Sequence, residues 1–223
     1  MMKIGRIVDL SHRLYPGKEE YGLKIETRFT DEVLPGYKRR KDIWYILQNV
    51  TMSSHVGTHI EFPYHHLRNG QDASVFPIEK LVGEGVLLDF SSKKNDEAID
   101  INDLQRYEKR IKRGDIVFIR TGRDKFYRTK HSHKRPYLTH PAVKWLVKKK
   151  INCLGIDATG LEIKGTDNQP NHTTLFENGI PLIESMANLD RLKKKRFLVF
   201  ILPLPIKGLD SSPVRIIAIE KND

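Results

Sequence analysis

The chain has 223 residues, enough for one domain with a substantial core. Hydrophobic residues make up 39% and charged residues 30%, which excludes general disorder, and no apolar run approaches the roughly 18 residues needed to span a bilayer. Subtracting 28 acidic from 39 basic residues leaves +11, but the basic residues lie in short scattered runs beside no recognised nucleic-acid module, so duplex binding is only a third reading.

The opening MMKIGRIVDLSHRLYPG lacks the apolar stretch and small-residue cleavage site of a secretory signal, which points to the cytoplasm. Runs of β-branched and apolar residues at Ile4 to Leu10, Ile43 to Met52, Gly85 to Asp89 and Asp115 to Arg120 read as strands. The polar-rich segment Ile101 to Lys112 reads as a helix. A second helix follows from His140 to Lys150, with Thr139 as cap, Pro141 in the first turn and an apolar stripe of Val143, Leu146 and Val147. It leads into a buried strand, Cys153 to Asp157, whose last residue stands where strand-end side chains often reach a site. The lone Cys153 lies in an apolar run and reads as a small buried hydrophobe. A short helix near His172 to Asn178 and strands at Phe197 to Leu202 and Val214 to Ile219 complete the pattern. The mixture predicts an α/β protein in which sheet dominates. No repeat, linker or composition shift divides it, so residues 1–223 are expected to form a single domain.

The stretch from Ser54 to His66 is dense in metal-ligand side chains. Imidazole and carboxylate together suit zinc, manganese or iron. In an extended chain alternate side chains face one way, and His55, His59, Glu61 and His65 share one parity. A helix would scatter them, and Gly57 and Pro63 oppose one. His66 has the opposite parity and is left out. Four side chains of ligand type on one face of a ribbon predict a divalent-metal site.

The run His55-Val56-Gly57-Thr58-His59-Ile60-Glu61-Phe62-Pro63-Tyr64-His65 resembles the H-x-G-T-H-x-D-x-P-x-H signature of the putative cyclase, or metal-dependent hydrolase, family, which includes bacterial kynurenine formamidases and isatin hydrolases. Glu61 stands where the commoner motif has aspartate. The resemblance covers most of the chain: Ile7 to Ser11, Gly114-Asp115 through Gly122, Leu154 to Asp157, the spaced His172, Gly179-Ile180-Pro181 and Glu184, and Asp210 to Arg215. It implies the family's β-rich, swivelling β/β/α fold and a homodimer. It also implies that His55, His59 and Glu61 bind a first metal, that Glu61 bridges to a second held by His172 and Glu184, and that His65 is the catalytic acid/base. The expected cofactor is zinc or manganese, one or two ions per chain.

Such a site suits hydrolysis of an amide, formamide or lactam C–N bond in a small molecule, because a divalent ion acidifies water and polarises a carbonyl. No serine or cysteine nucleophile is needed; Ser53, Ser54 and Cys153 sit in no nucleophile elbow. Kynurenine formamidases carry a tryptophan near an N-terminal Pro-Gly pair, and this chain has Tyr15-Pro16-Gly17 through Tyr21 without one. Tyr15, Tyr21, Trp44 and Phe62 are candidate pocket walls. The alternative reading is a catalytically inactive, metal-stabilised small-molecule-binding protein of the same fold.

Overall fold

The computed structural model describes residues 5–221. In chain order the first half carries β1 (Arg6–Asp9), β2 (Leu23–Phe29), the one-turn α1 (Thr30–Val33), β3 (Ile46–Met52), β4 (His59–Glu61), β5 (Val82–Asp89), β6 (Ala98–Ile99), α2 (Ile101–Gln105) and β7 (Ile116–Arg120). The second half carries β8 (Tyr137–Leu138), α3 (His140–Lys148), β9 (Cys153–Ile156), α4 (Pro170–Glu177), β10 (Leu182–Glu184), β11 (Arg196–Leu202), β12 (Ser211–Pro213) and β13 (Arg215–Glu220).

A nine-stranded mixed sheet runs in the order β1-β13-β11-β5-β7-β9-β10-β4-β12. Its centre, β5 to β10, is parallel, and the strands on either flank pair antiparallel. Residues of β7 alternate between two cores as a strand doubly covered must. Val117 and Ile119 pack with Leu104 of α2, Val143 and Leu146 of α3 and Leu175 of α4. Ile116 and Phe118 face the opposite way. That second core joins Val8 of β1 and Ile216 of β13 to Ile60 of β4, from strands far apart in the sheet order, so the sheet curls over its own face. Fully burying a side chain such as Phe118 stabilises the fold by roughly 2 to 3 kcal/mol.

The β-rich α/β reading holds, and the differences have local causes. Ile4, expected in the first strand, lies outside the described residues, and β1 begins at Arg6. The helix expected through Lys112 stops at Gln105, because Tyr107 turns back to pack edge-on against Phe90 and donates its hydroxyl to Asp89 O. Strand β2 is absent from the sequence expectation because its exposed sequence LKIETRF has no buried face to impose a pattern. It pairs only with β3, in a hairpin set apart from the main sheet. The helix α3 begins as expected, with Thr139 Oγ1 accepting from Ala142 N.

Candidate metal centre

Strand β4 is gripped between β10 and β12, with His59 opposite Glu184 and Glu61 opposite Leu182. Cross-strand partners project to the same face, so His59, Glu61 and Glu184 share one side of the sheet. Helix α4 brings His172 over them. The expected extended ribbon from His55 to His65 is corrected here. Only His59–Glu61 is strand; Gly57, at φ +69°, reverses the chain after His55, and Pro63–His65 forms a 3-10 turn. The residues converge through turns at the glycine and proline rather than through the pleat.

All six predicted residues line one cavity of about 340 Å³. Glu61 is its hub. Its Oε1 lies 3.4 Å from His55 Nε2, 3.5 Å from His59 Nε2 and 3.9 Å from His65 Nε2. Its Oε2 lies 3.5 Å from His172 Nε2, which is 3.2 Å from Glu184 Oε1. The two oxygens therefore face two groups of ligand atoms, His55/His59 and His172/Glu184.

The far nitrogen of each ring decides which lone pair points inward. His59 Nδ1 is 2.9 Å from Gly57 O, a carbonyl that can only accept, so Nδ1 carries the hydrogen. Ser54 Oγ donates to Asp210 Oδ1 and so receives the hydrogen of His55 Nδ1. His65 Nδ1 faces Asp210 Oδ2 at 2.8 Å, and His172 Nδ1 faces Glu162 Oε2 at 2.6 Å. The His55, His59 and His65 rings, when neutral, thus present Nε2 as a lone pair, the arrangement in which outer partners orient metal-binding histidines. His172 instead hydrogen-bonds Glu184 Oε1 through Nε2 at 3.2 Å and would turn that nitrogen to an ion only on losing its proton. His55 Nε2, His59 Nε2 and Glu61 Oε2 are buried without a hydrogen-bond partner. Leaving such groups unsatisfied costs about 1 to 3 kcal/mol each, which a divalent ion between them would offset. The donor set fits the metal expected.

Charge points the same way. Burial disfavours the His172 imidazolium, but Glu162 and Glu184 outweigh it and hold its pKa at about 10. Burial likewise opposes ionisation of Glu61, yet the His55 and His59 rings hold its carboxyl well below the usual range. A pocket that retains a proton this firmly competes for a cation.

Two residues here carried no role at the sequence level. Glu162 accepts from the backbone N–H groups of Asn171 and His172 through Oε1, fastening the start of α4 while Oε2 faces the His172 ring. Asp210 reaches His65 from just before β12. The polar loop from Gly160 to Asn171 and the family-like closing segment were the signals available for them. His66 spends both ring nitrogens, on Thr173 Oγ1 and Gln169 Oε1. Thr58 serves structure, donating to Ser185 O and accepting from His12 N. Asp157 does not line the cavity; it accepts from Thr121 and Gly122 N–H groups, and burial pushes its carboxyl up to about 6. Tyr21 lines the cavity, whereas Phe62 is core and Trp44 is 72% exposed. Cys153 is fully buried, which pushes its thiol up and leaves it no nucleophilic part.

Residues 8–163 match the family model described as Putative cyclase. A kynurenine formamidase of Bacillus cytotoxicus is 29% identical over 174 residues, covering 75% of this chain and 77% of its own length. A predicted metal-dependent hydrolase from Bacillus stearothermophilus superposes with a TM-score of 0.76 at 26% identity, covering 97% of this chain and 98% of its own. An isatin hydrolase, solved with a product analogue, superposes with a TM-score of 0.83 at 20% identity, over 97% and 92% of the two chains, and attests the shared fold.

Proposed function

The chain belongs to the putative cyclase family, and from that membership we propose that it is a metal-dependent amidohydrolase cleaving an amide, formamide or lactam C–N bond of a small molecule. The observation that carries this reading is the convergence of four histidine Nε2 atoms on the two oxygens of Glu61. In it, His55, His59 and Glu61 hold one divalent ion, zinc or manganese, and Glu61, His172 and Glu184 hold a second where two bind. Glutamate in place of aspartate at position 61 is long enough to present one oxygen to each group. When bound, a divalent ion supplies Lewis-acid polarisation of a carbonyl and a water acidified towards neutral pH.

The residues of the chain supply the rest. His65 Nε2 is the free lone pair of a ring fixed by Asp210, so it takes the proton of the attacking water and returns it to the departing nitrogen. Asp210 keeps the hydrogen on Nδ1 and stabilises the imidazolium between those two steps. Burial opposes its charge, but the His65 ring holds its carboxyl below the ordinary value, so it stays ionised for that task.

In this reading residues 1–223 form one cyclase-like unit that works in the cytoplasm as a homodimer. Ile25, Val50 and Met52 stand exposed on one face of the β2–β3 pair, which supports a second copy covering it. Among the described residues no helix is long and apolar enough to cross a membrane. A screen of formamides, lactams, isatin and cyclic amides with added zinc or manganese tests the activity. Turnover lost in His65→Ala with metal retained supports the reading; inactivity on every compound favours the inactive binding protein.

A further inference from the structure

Among the described residues that line the candidate metal cavity, Arg135 is the one lysine or arginine, and it has no part in holding an ion or moving a proton there. Glu20, which lines the same cavity, is already engaged with His133 at 2.8 Å, and its neighbour Glu19 pairs with Arg128 at 2.9 Å. Among the described residues no carboxylate oxygen lies within 4.0 Å of the Arg135 guanidinium. Its contacts are long ones to neutral oxygens, from Nη1 to His133 O at 3.3 Å and Thr159 Oγ1 at 3.5 Å, and from Nη2 to Glu162 O at 3.3 Å. Its Nε is buried without any hydrogen bond. A guanidinium has five N–H donors and cannot lose its charge, so this one holds unspent donors beside a cavity.

The backbone is shaped to admit it. Gly160, at φ +127°, lies so close that a Cβ there would stand 2.6 Å from Arg135 Nη2. Only glycine combines that conformation with that approach. The loop that carries Gly160 also carries Glu162, which holds His172, so the guanidinium and the metal ligands rest on one segment.

We infer that Arg135 is a specificity-determining residue that receives a carboxylate on the substrate, forked onto its unspent N–H groups, while the scissile amide lies against His65 and Glu61. This rests on the hydrolase reading above and adds a substrate class to it: small amides bearing a carboxylate. A planar fork selects a planar anion, whereas the Glu61 and Glu184 carboxylates exclude an anion from the metal end unless an ion is bound there.

The test uses the full chain as wild type, Arg135→Met and Arg135→Lys, with N-formylanthranilate and formanilide, two formamides that differ by one ring carboxylate. Arg135→Met lowers kcat/KM for N-formylanthranilate about 10- to 100-fold, through KM, and changes formanilide by less than about 3-fold. Arg135→Lys, which keeps the charge without the fork, falls between them and stands in should the methionine variant not fold. Equal losses on both substrates, or no loss on the carboxylated one, overturn the assignment. Should wild type hydrolyse neither, the hydrolase reading fails by itself, and calorimetric titration with benzoate and benzamide decides the Arg135 assignment. Benzoate binding that Arg135→Met weakens about tenfold upholds it, and benzoate binding that is absent or indifferent to the substitution overturns it.

Discussion

Asp210 Oδ2 lies 2.8 Å from His65 Nδ1, although 145 residues separate them in the chain. Asp210 is also fixed from its other oxygen by Ser54, whose own neighbour His55 is a proposed ligand. The proposed acid/base and the proposed metal ligands therefore share one network. Replacing Asp210 with alanine frees the His65 ring to rotate and to carry its hydrogen on either nitrogen. Turnover should fall about 10²-fold with metal content unchanged, measured by steady-state kinetics beside elemental analysis. Unaltered kcat would remove Asp210 from the mechanism.

Glu162→Gln keeps the size of the side chain and its backbone hydrogen bonds but weakens its hold on the His172 ring. Metal affinity, measured by competition with a chelator, should drop about 10- to 100-fold while the fold persists. Affinity within a factor of two or so of wild type would show that α4 alone positions His172.

In the ion-free protein the His172 pKa stands at about 10, above its ordinary 6.5. Because the folded value is raised, its contribution to stability is complete below pH 6.5 and is lost as pH rises through about 10. The chelator-treated protein should accordingly lose thermal stability across that window. Binding of the ion that His172 holds must displace this proton at neutral pH, so titrating zinc in two buffers of different ionisation enthalpy should reveal release of about one proton with that ion.

His12 behaves in the opposite sense. Burial, with its ring stacked 4.1 Å from that of Tyr127, lowers its pKa to about 4 from 6.5. A depressed folded value gives stability that is complete above pH 6.5 and is lost as pH falls through 4. The loss amounts to at most about 3 kcal/mol. His12→Phe keeps the stack and should flatten the acid limb of a thermal-melt series; an unchanged limb would place the acid sensitivity elsewhere.

Gly57 makes the turn between His55 and His59 at φ +69°, and a Cβ there would come within 2.3 Å of Leu14 Cδ2. Gly57→Ala should destabilise the fold by about 1 to 3 kcal/mol and weaken metal retention together, read by melting and elemental analysis. Full metal retention in a destabilised variant would separate the turn from the site.

Much of this was legible in the chain itself because local rules and burial agree along β5, β7, β9 and α3, where apolar periodicity is strong. The ligand stretch was legible by residue type: His55, His59, Glu61 and His65 do converge. The reason given by parity was incomplete, since Gly57 and Pro63 break the strand that parity assumes. Hairpin β2–β3 was half visible, its polar strand lacking a buried face. Glu162 and Asp210 were illegible in role because each acts across a long-range contact that only the curled sheet and α4 create. Arg135 was hidden for the same reason, one basic residue among 39 until the fold withholds a carboxylate from it and sets it against the cavity.

The central claim, that Glu61 and the histidines around it hold a divalent ion, is tested most directly by elemental analysis of purified wild type beside the His55→Ala, His59→Ala double variant. The account predicts on the order of one or two zinc or manganese ions per wild-type chain and a clear loss in the variant. Equal and negligible metal in both proteins would contradict it.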